Sequence, residues 1–364
     1  MPASGAIGRG VTAFFAASLL ASACSPTRAP TPRATDAAPP SETSTAANTD
    51  AAGAHGTAAY GNPDFPNWPT RPVIDGLTMR IVDDAPIELV ETSGAGAGTT
   101  GAEKMFVEVE TLGHTCRLKA KEFPRDLDGM NNSPRKELAA YALQRLFLVP
   151  EDYVVPTTLP RCIVMSQWEP HHPGATPTIP GSDCVLVTLA MWLEYVTLPD
   201  EVLDMGRFRT DPVYALYMSN FNVFTYLVDH RDGRRGNFLI SNLPGRPQTF
   251  AVDNGISFGP WVFNYFVRNW YKIRVPAVRA DTVEKLRGIE REDLDFLLAL
   301  FQLEPGDEGR LRLVKPGEPD DPDRGATRVG SRIQLGLTER EIDDVWKRIN
   351  ALVARVDSGD LATF

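Results

Sequence analysis

His230-Arg231-Asp232-Gly233-Arg234-Arg235-Gly236-Asn237, followed by Asp253-Asn254-Gly255, is the stretch whose reading decides the fold. A helix-like run ending in Phe224-Thr225-Tyr226-Leu227-Val228 leads into it. Behind it come an apolar strand, Phe238-Leu239-Ile240, a turn at Pro244-Gly245, and a second strand, Phe250-Ala251-Val252. Such a hairpin draws Asp232, Asn237 and Asp253 together. Asp-Gly alone is an ordinary turn signal. The joint pattern, with two strand-like runs and a second Asp after the second one, says more.

Those three side chains suit phosphoryl transfer from ATP. One carboxylate, Asp232, orients the attacking hydroxyl and accepts its proton. A second carboxylate and a neutral amide, Asp253 and Asn237, hold Mg²⁺ or Mn²⁺ against the phosphates. Asp232 and Asn237 also have the Asp-x4-Asn spacing of a kinase catalytic loop.

Upstream, the chain supplies candidates for the rest of a nucleotide site. Ile87 to Glu91 and Lys104 to Glu110 alternate with the strand period and flank Gly94, Gly96, Gly98 and Gly101. A Gly-rich loop of this kind lets backbone N–H groups approach phosphates, with Gly96 and Gly98 at its centre. A flexible hairpin loop is the equal alternative. The run Cys116 to Phe123 alternates Cys116, Leu118 and Ala120 with Arg117, Lys119 and Lys121. One lysine of that strand would meet the phosphates, Lys121 ahead of Lys119. A solvated basic face is the ordinary alternative.

Ser133-Pro134 opens a helix over about 135–148. Glu137 lies in its first turn, either as partner of the strand lysine or as an acid favoured by the helix dipole. The apolar stripe Ala139, Ala142, Leu143 and Leu146 falls on the side opposite Glu137. Tyr153 to Pro156, Cys162 to Met165 and Cys184 to Ala190 read as strands. Glu194 to Val196 is the expected hinge whose backbone would meet adenine. Pro212 to Val228 is a helix ending at the catalytic loop. The aromatic segment Trp261 to Tyr271 reads as core, ahead of a substrate platform or a membrane-facing patch. Beyond it we expect a helix capped by Asp281, a helix over Glu292 to Leu303, and a Pro- and Gly-rich loop from Glu304 to Arg328. Thr338 and Glu341 form a capping box for a last helix.

The chain has 364 residues and a formal net charge of −10, which argues against a nucleic-acid partner. Val11 to Leu20 is an apolar run too short to span a bilayer. Leu20-Ala21-Ser22-Ala23-Cys24 follows it. We expect residues 1–23 to be a lipoprotein signal peptide, Cys24 to carry the lipid that tethers the chain to a membrane, and ordinary secretion to be the alternative. Ser25 after the Cys favours the outer membrane in a cell that has one. Residues 24–70, rich in Ala, Pro, Thr and Ser, read as a disordered tether. Among the four cysteines, Cys162 and Cys184 sit in two strand-like runs joined by a Pro- and Gly-containing stretch, and are expected to form a disulfide. Cys116 is left over. No zinc spacing is present, and His171 and His172 fall in the loop between the paired cysteines.

Four blocks together resemble a known family. Lys119-Ala120-Lys121 is similar to its nucleotide-lysine strand. Lys136-Glu137-Leu138-Ala139-Ala140-Tyr141, continuing to Val154-Val155-Pro156-Thr157-Thr158, is similar to its Glu helix and following strand. Phe224 to Asn237 resembles its catalytic loop, and Val252-Asp253-Asn254-Gly255 its metal-binding Asp-Asn-Gly. The family is that of the atypical kinases, which includes type II phosphatidylinositol 4-kinases, secretory-pathway kinases and bacterial relatives. The resemblance covers about 80–356. It implies an α+β, two-lobed protein-kinase-like fold, with an antiparallel-sheet N-lobe over 71–196 and a helical C-lobe over 197–364. It also implies Lys121 on the phosphates, Glu137 as its partner, Asp232 as catalytic base, and Asn237 and Asp253 on the metal. One departure is that Gly233-Arg234-Arg235 stands where the family often has Arg-His after the catalytic Asp. The expected activity is transfer of the γ-phosphoryl of ATP to a hydroxyl of a protein, lipid or sugar. The rival readings are transfer of AMP or another group, and a binding lipoprotein that keeps the fold without catalysis.

Overall fold

Alternation along His114–Glu122 builds the central strand of the first sheet. In the computed structural model the described residues are 24–26, 87–94, 101–109, 114–129, 132–233, 235–259, 270–306 and 310–364. The expected signal peptide, nearly all of the expected tether, Gly96, Gly98 and most of the aromatic segment lie outside them. The first sheet contains β1 (Cys24–Pro26), β2 (Ile87–Gly94), β3 (Ala102–Val109), β4 (His114–Glu122), β5 (Thr158–Val164) and β6 (Cys184–Met191). Its order is β2-β3-β4-β6-β5, all antiparallel, with β1 pairing the start of β4 so that Cys24 stands opposite Cys116. Leu118 and Ala120 of β4 join Met105, Val107, Val187 and Leu189 in one apolar cluster. Trp168 of the short helix α2 (Met165–Trp168) belongs to the same cluster. The lysines of β4 therefore point to the other face, because successive strand residues alternate sides.

Helix α1 (Pro134–Gln144) precedes α2 in the chain. All eleven of its residues are buried, so the opposition between Glu137 and the apolar stripe dissolves: both sides of the helix are packed. Ser133 occupies the N-cap without a side-chain cap bond; its hydroxyl donates to Asp128 at 3.0 Å instead. Gln144 accepts from Val154 N and Val155 N and donates to Val155 O. That explains a correction to the sequence reading. Tyr153 to Pro156 is not a ladder strand: the chain bends at Val154 and Val155, where the Gln144 amide takes both N–H groups and the Val155 carbonyl. The strand begins at Thr158 instead. Cys162 and Cys184 are disulfide-bonded as expected, with Cα atoms 5.5 Å apart.

The expected hairpin is present as β8 (Phe238–Ser241) and β9 (Thr249–Ala251), with β7 (Val196–Thr197) on its edge. Helix α3 (Met205–Thr210) and helix α4 (Pro212–Leu227) lie between β7 and β8 in the chain. Asp211 caps α4 by accepting from Val213 N and Tyr214 N. Phe221 of α4, Phe238 of β8 and Trp270 meet edge to face at 5.0–5.8 Å. Trp270 is thus core. β10 (Ala277–Val278) leads to helix α5 (Ala280–Arg287), whose N-cap is Arg279; Asp281, expected as the cap, sits in its first turn.

The region after 290 departs most from expectation. Glu292–Leu297 is a short 3-10 turn, not the start of a helix to Leu303. The expected loop contains strands: β11 (Phe301–Pro305), β12 (Leu311–Val314), β13 (Ala326–Val329) and β14 (Arg332–Leu335) form a four-stranded sheet of order β12-β11-β14-β13. Leu303, Leu311, Ile333 and Leu335 pack on Phe123, Leu138, Cys184 and Leu186, so this sheet lies against the first one. Its other side carries Gln302 and Gln334, buried and bonded to each other at 2.8 Å. Helix α6 (Glu339–Asp357) has the expected capping box and buries Ile342, Val345, Ile349 and Leu352. β15 (Ala362–Thr363) closes the chain in parallel with β10. The architecture is α+β. No helix among the described residues is long and apolar enough to cross a membrane.

Candidate active site

A cleft of about 300 Å³, including the part open to solvent, lies between the lysine face of the first sheet and the end of the β8–β9 hairpin. Val155, Ala190 and Val252 give it apolar walls; Lys119, Lys121 and Glu137 make its polar end. Lys119 and Lys121 share a face of β4. Lys119 Nζ donates to Val252 O at 2.6 Å. Lys121 Nζ stands 3.4 Å from Glu137 Oε1 and also bonds Asn132 Oδ1. The expected lysine–glutamate pair is formed, and both lysines face the cleft.

Glu137 does more than pair. Its Oε2 accepts from the backbone N–H of Asn254 at 2.9 Å. Ser133 N donates to Gly255 O at 2.8 Å. The first turn of α1 is thereby sewn to the Asp253-Asn254-Gly255 turn. Gly255 is needed for this approach: a Cβ there would lie 2.9 Å from Lys121 Nζ and 3.1 Å from the carbonyl carbon of Asn132.

The catalytic-loop candidates are held by the same kind of backbone bond. His230 is buried and its Nε2 meets Asp253 O at 3.1 Å. Burial lowers the His230 pKa against the pull of Asp232 and Asp253, so the ring is neutral and Nε2 carries the donated proton. Asn237 Nδ2 donates to Asp232 O at 3.0 Å, and Val252 N donates to Asn237 O at 3.0 Å. Asp232 and Asn237 are both buried. Asp232, Asn237 and Asp253 are joined through loop and hairpin backbone, as the spacing anticipated.

The carboxyls of Glu137, in the cleft, and of Asp253, beside it, are tuned apart. Burial works against the Asp253 anion, yet the Lys119 and Lys121 ammonium groups hold its pKa down at about 2. Burial raises the Glu137 pKa; the two lysines lower it and the Asp253 charge raises it again. Of the two, Glu137 takes a proton first.

No group of three or more His, Cys, Asp or Glu side chains is gathered for a metal among the described residues. The Asp253 carboxylate and the Asn237 amide oxygen are hard oxygen donors. They fit Mg²⁺, which is held by one or two protein groups together with phosphate oxygens. Asn237 uses its nitrogen toward Asp232, so its oxygen is the atom of the right chemistry for a cation.

Glu194 falls on the connection from β6 to β7, where Asn242 N donates to Tyr195 O at 2.8 Å, and Val196 opens β7. They sit at the junction of the two sheets and are not among the cleft-lining side chains. Gly96 and Gly98 lie outside the described residues. Sequence reasoning missed Asn132, which touches Lys121 and has a left-handed backbone with φ 107°. Its only signal was Asn-Asn ahead of Ser-Pro, a pair of residues that tolerate such a conformation. No protein-family model matches the chain, and no curated protein matches its sequence.

Proposed function

We propose that the chain is an exported, two-lobed kinase-like enzyme that transfers the γ-phosphoryl of ATP to a hydroxyl. The observation that carries this reading is a cleft lined by Lys119 and Lys121 of β4 and Glu137 of α1, whose hairpin side, Val252 and Asn254, flanks Asp253 and is tied by backbone bonds to the Asp232–Asn237 loop. A lysine on the third long strand of a sheet paired with a helical glutamate, plus an Asp-x4-Asn loop and a following Asp, is the kinase parts list. In this reading Lys121 meets the phosphates and Glu137 fixes it. Asp232 orients the acceptor hydroxyl and takes its proton. Asn237 and Asp253 would hold Mg²⁺ or Mn²⁺, which neutralises the phosphate charge. The β6–β7 connection at Glu194 to Val196 takes the adenine side. Cys24 would carry the lipid that tethers the enzyme to the cell envelope.

The test is thermal stability of the full chain with ATP and Mg²⁺ or Mn²⁺, beside Asp253→Ala. A metal-dependent rise in midpoint that the variant loses supports the site. No rise with any nucleotide in the folded wild type defeats it. The mass added to an acceptor then separates phosphoryl transfer from AMP transfer.

A further inference from the structure

Three consecutive residues of α1 divide their labour. Glu137 faces the cleft, while Arg135 and Lys136 face Glu341 at the start of α6. Arg135 grips Glu341 with two nitrogens, Nη1 to Oε2 at 2.7 Å and Nη2 to Oε1 at 3.1 Å. It also donates to Gly336 O at 3.1 Å and, through Nε, to Asp128 Oδ1 at 2.5 Å. Lys136 Nζ stands 3.3 Å from Glu341 Oε1 and bonds Gly259 O, on the segment that follows Asp253. The side chains of Arg135, Lys136 and Glu341 are only 4%, 9% and 8% exposed. Glu341 simultaneously closes the capping box, accepting from Thr338 N at 2.9 Å.

A capping box needs only an amide or carboxylate oxygen at this position. The charge, and the buried bidentate arginine, exceed that need. Because α1 moves as a rigid rod, a shift of Arg135 is also a shift of Glu137. The Lys121–Glu137 contact, at 3.4 Å, has little slack before it ceases to be a hydrogen bond.

We propose that Glu341 is a positioning residue for the cleft: through Arg135 and Lys136 it fixes the first turn of α1, and with it Glu137, and it fixes the segment that follows Asp253. That the positioned cleft serves a nucleotide rests on the function proposed above.

The test compares the full chain with Glu341→Gln, which keeps the capping oxygen and the volume but removes the charge. The first readout is amide hydrogen exchange without nucleotide. The amides of Asn254 and of residues 135–140 should exchange at least about tenfold faster in the variant, with α4 and β8 unchanged. The second is MgATP affinity, expected to fall about tenfold, and to fall no further when Glu341→Gln is added to Glu137→Gln. Unchanged exchange at Asn254, or acceleration spread evenly over the molecule, overturns the proposal. Local acceleration in a protein whose wild type binds no nucleotide upholds the positioning and defeats the nucleotide reading alone. Additive losses of affinity in the double variant overturn the route through Glu137.

Discussion

Replacing Asp253 by Asn should destabilise the protein before any ligand is added. In the folded chain the Asp253 carboxyl is held at about 2, against an ordinary value of 3.8, by Lys119 and Lys121 working against burial. That difference is about 2 kcal/mol of folding free energy at neutral pH. The folded-state pKa is depressed, so the stabilisation is complete above the unfolded value of 3.8 and is lost as pH falls through 2. By pH 3 about half of it remains. Asn cannot ionise, so the variant should be about 2 kcal/mol less stable at pH 7, and the gap should narrow to about 1 kcal/mol near pH 3. Glu137 limits the loss. Its pKa is raised partly by the Asp253 charge, so in the variant it ionises more readily and pairs with Lys121 more strongly.

The assay is urea unfolding of the full chain and of Asp253→Asn at several pH values between 7 and 3, without nucleotide. The midpoint shift at constant slope gives the difference directly. A variant as stable as the wild type at pH 7, or a gap that does not narrow on acidification, would refute the argument that the two lysines act on this carboxylate. Adding MgATP extends the test. At a hundred times its dissociation constant a ligand adds about 3 kcal/mol to the wild type, and the variant should gain almost none.

Gly255→Ala would set a methyl 3.1 Å from the Asn132 carbonyl carbon. We expect a loss of about 2 kcal/mol from overpacking, read by thermal unfolding, together with loss of the nucleotide response. Removing the disulfide with Cys162→Ala and Cys184→Ala, 22 residues apart, should cost about 3 kcal/mol; equal unfolding midpoints for wild type and variant in the absence of reductant would contradict this. Lys121→Met should abolish MgATP binding, whereas Lys119→Met should first loosen the Val252 anchor, seen as faster exchange of the amides at 251–254; the reverse assignment would exchange the two roles.

The hairpin that carries Asn237 and Asp253 was legible because local signals agree there: a helix end, an Asp-x4-Asn run, two apolar strands and a Pro-Gly turn. The capping box of α6 was legible for the same reason. The strands between 301 and 335 were not. Each has four or five residues, and Pro, Gly and charged residues surround them. Their apolar positions, Leu303, Leu311, Ile333 and Leu335, become a pattern only when the strands pair and cover the disulfide-bearing sheet. Glu137 posed a different difficulty. A helix buried all round has no single stripe, so helical periodicity could not say whether its glutamate faces a core, a cleft or solvent. The tie from Arg135 to Glu341 joins residues 206 apart and has no local signature at all.

The state of the cleft gives the proposed chemistry a physical starting point. Two ammonium groups, Lys119 and Lys121, meet two carboxyls, Glu137 and Asp253, and one backbone carbonyl, Val252. Both ammonium groups already have protein partners, so under the proposed reaction phosphates would have to displace them. Lys119 would trade Val252 O, and Lys121 would trade Asn132, for phosphate oxygens. Asp253 would be left facing new negative charge, in a half-buried position where like charges are poorly screened. Asp253 and Asn237 would hold a divalent cation, whose charge would remove that conflict, with Asn237 offering a neutral oxygen that adds no charge. Glu137 would remain as the anion that keeps Lys121 in place, its other oxygen holding the Asn254 amide as it does here. The depressed carboxyl of Asp253 would thus suit a group that stays ionised beside a metal, while Glu137 would stay with Lys121 and the Asn254 amide.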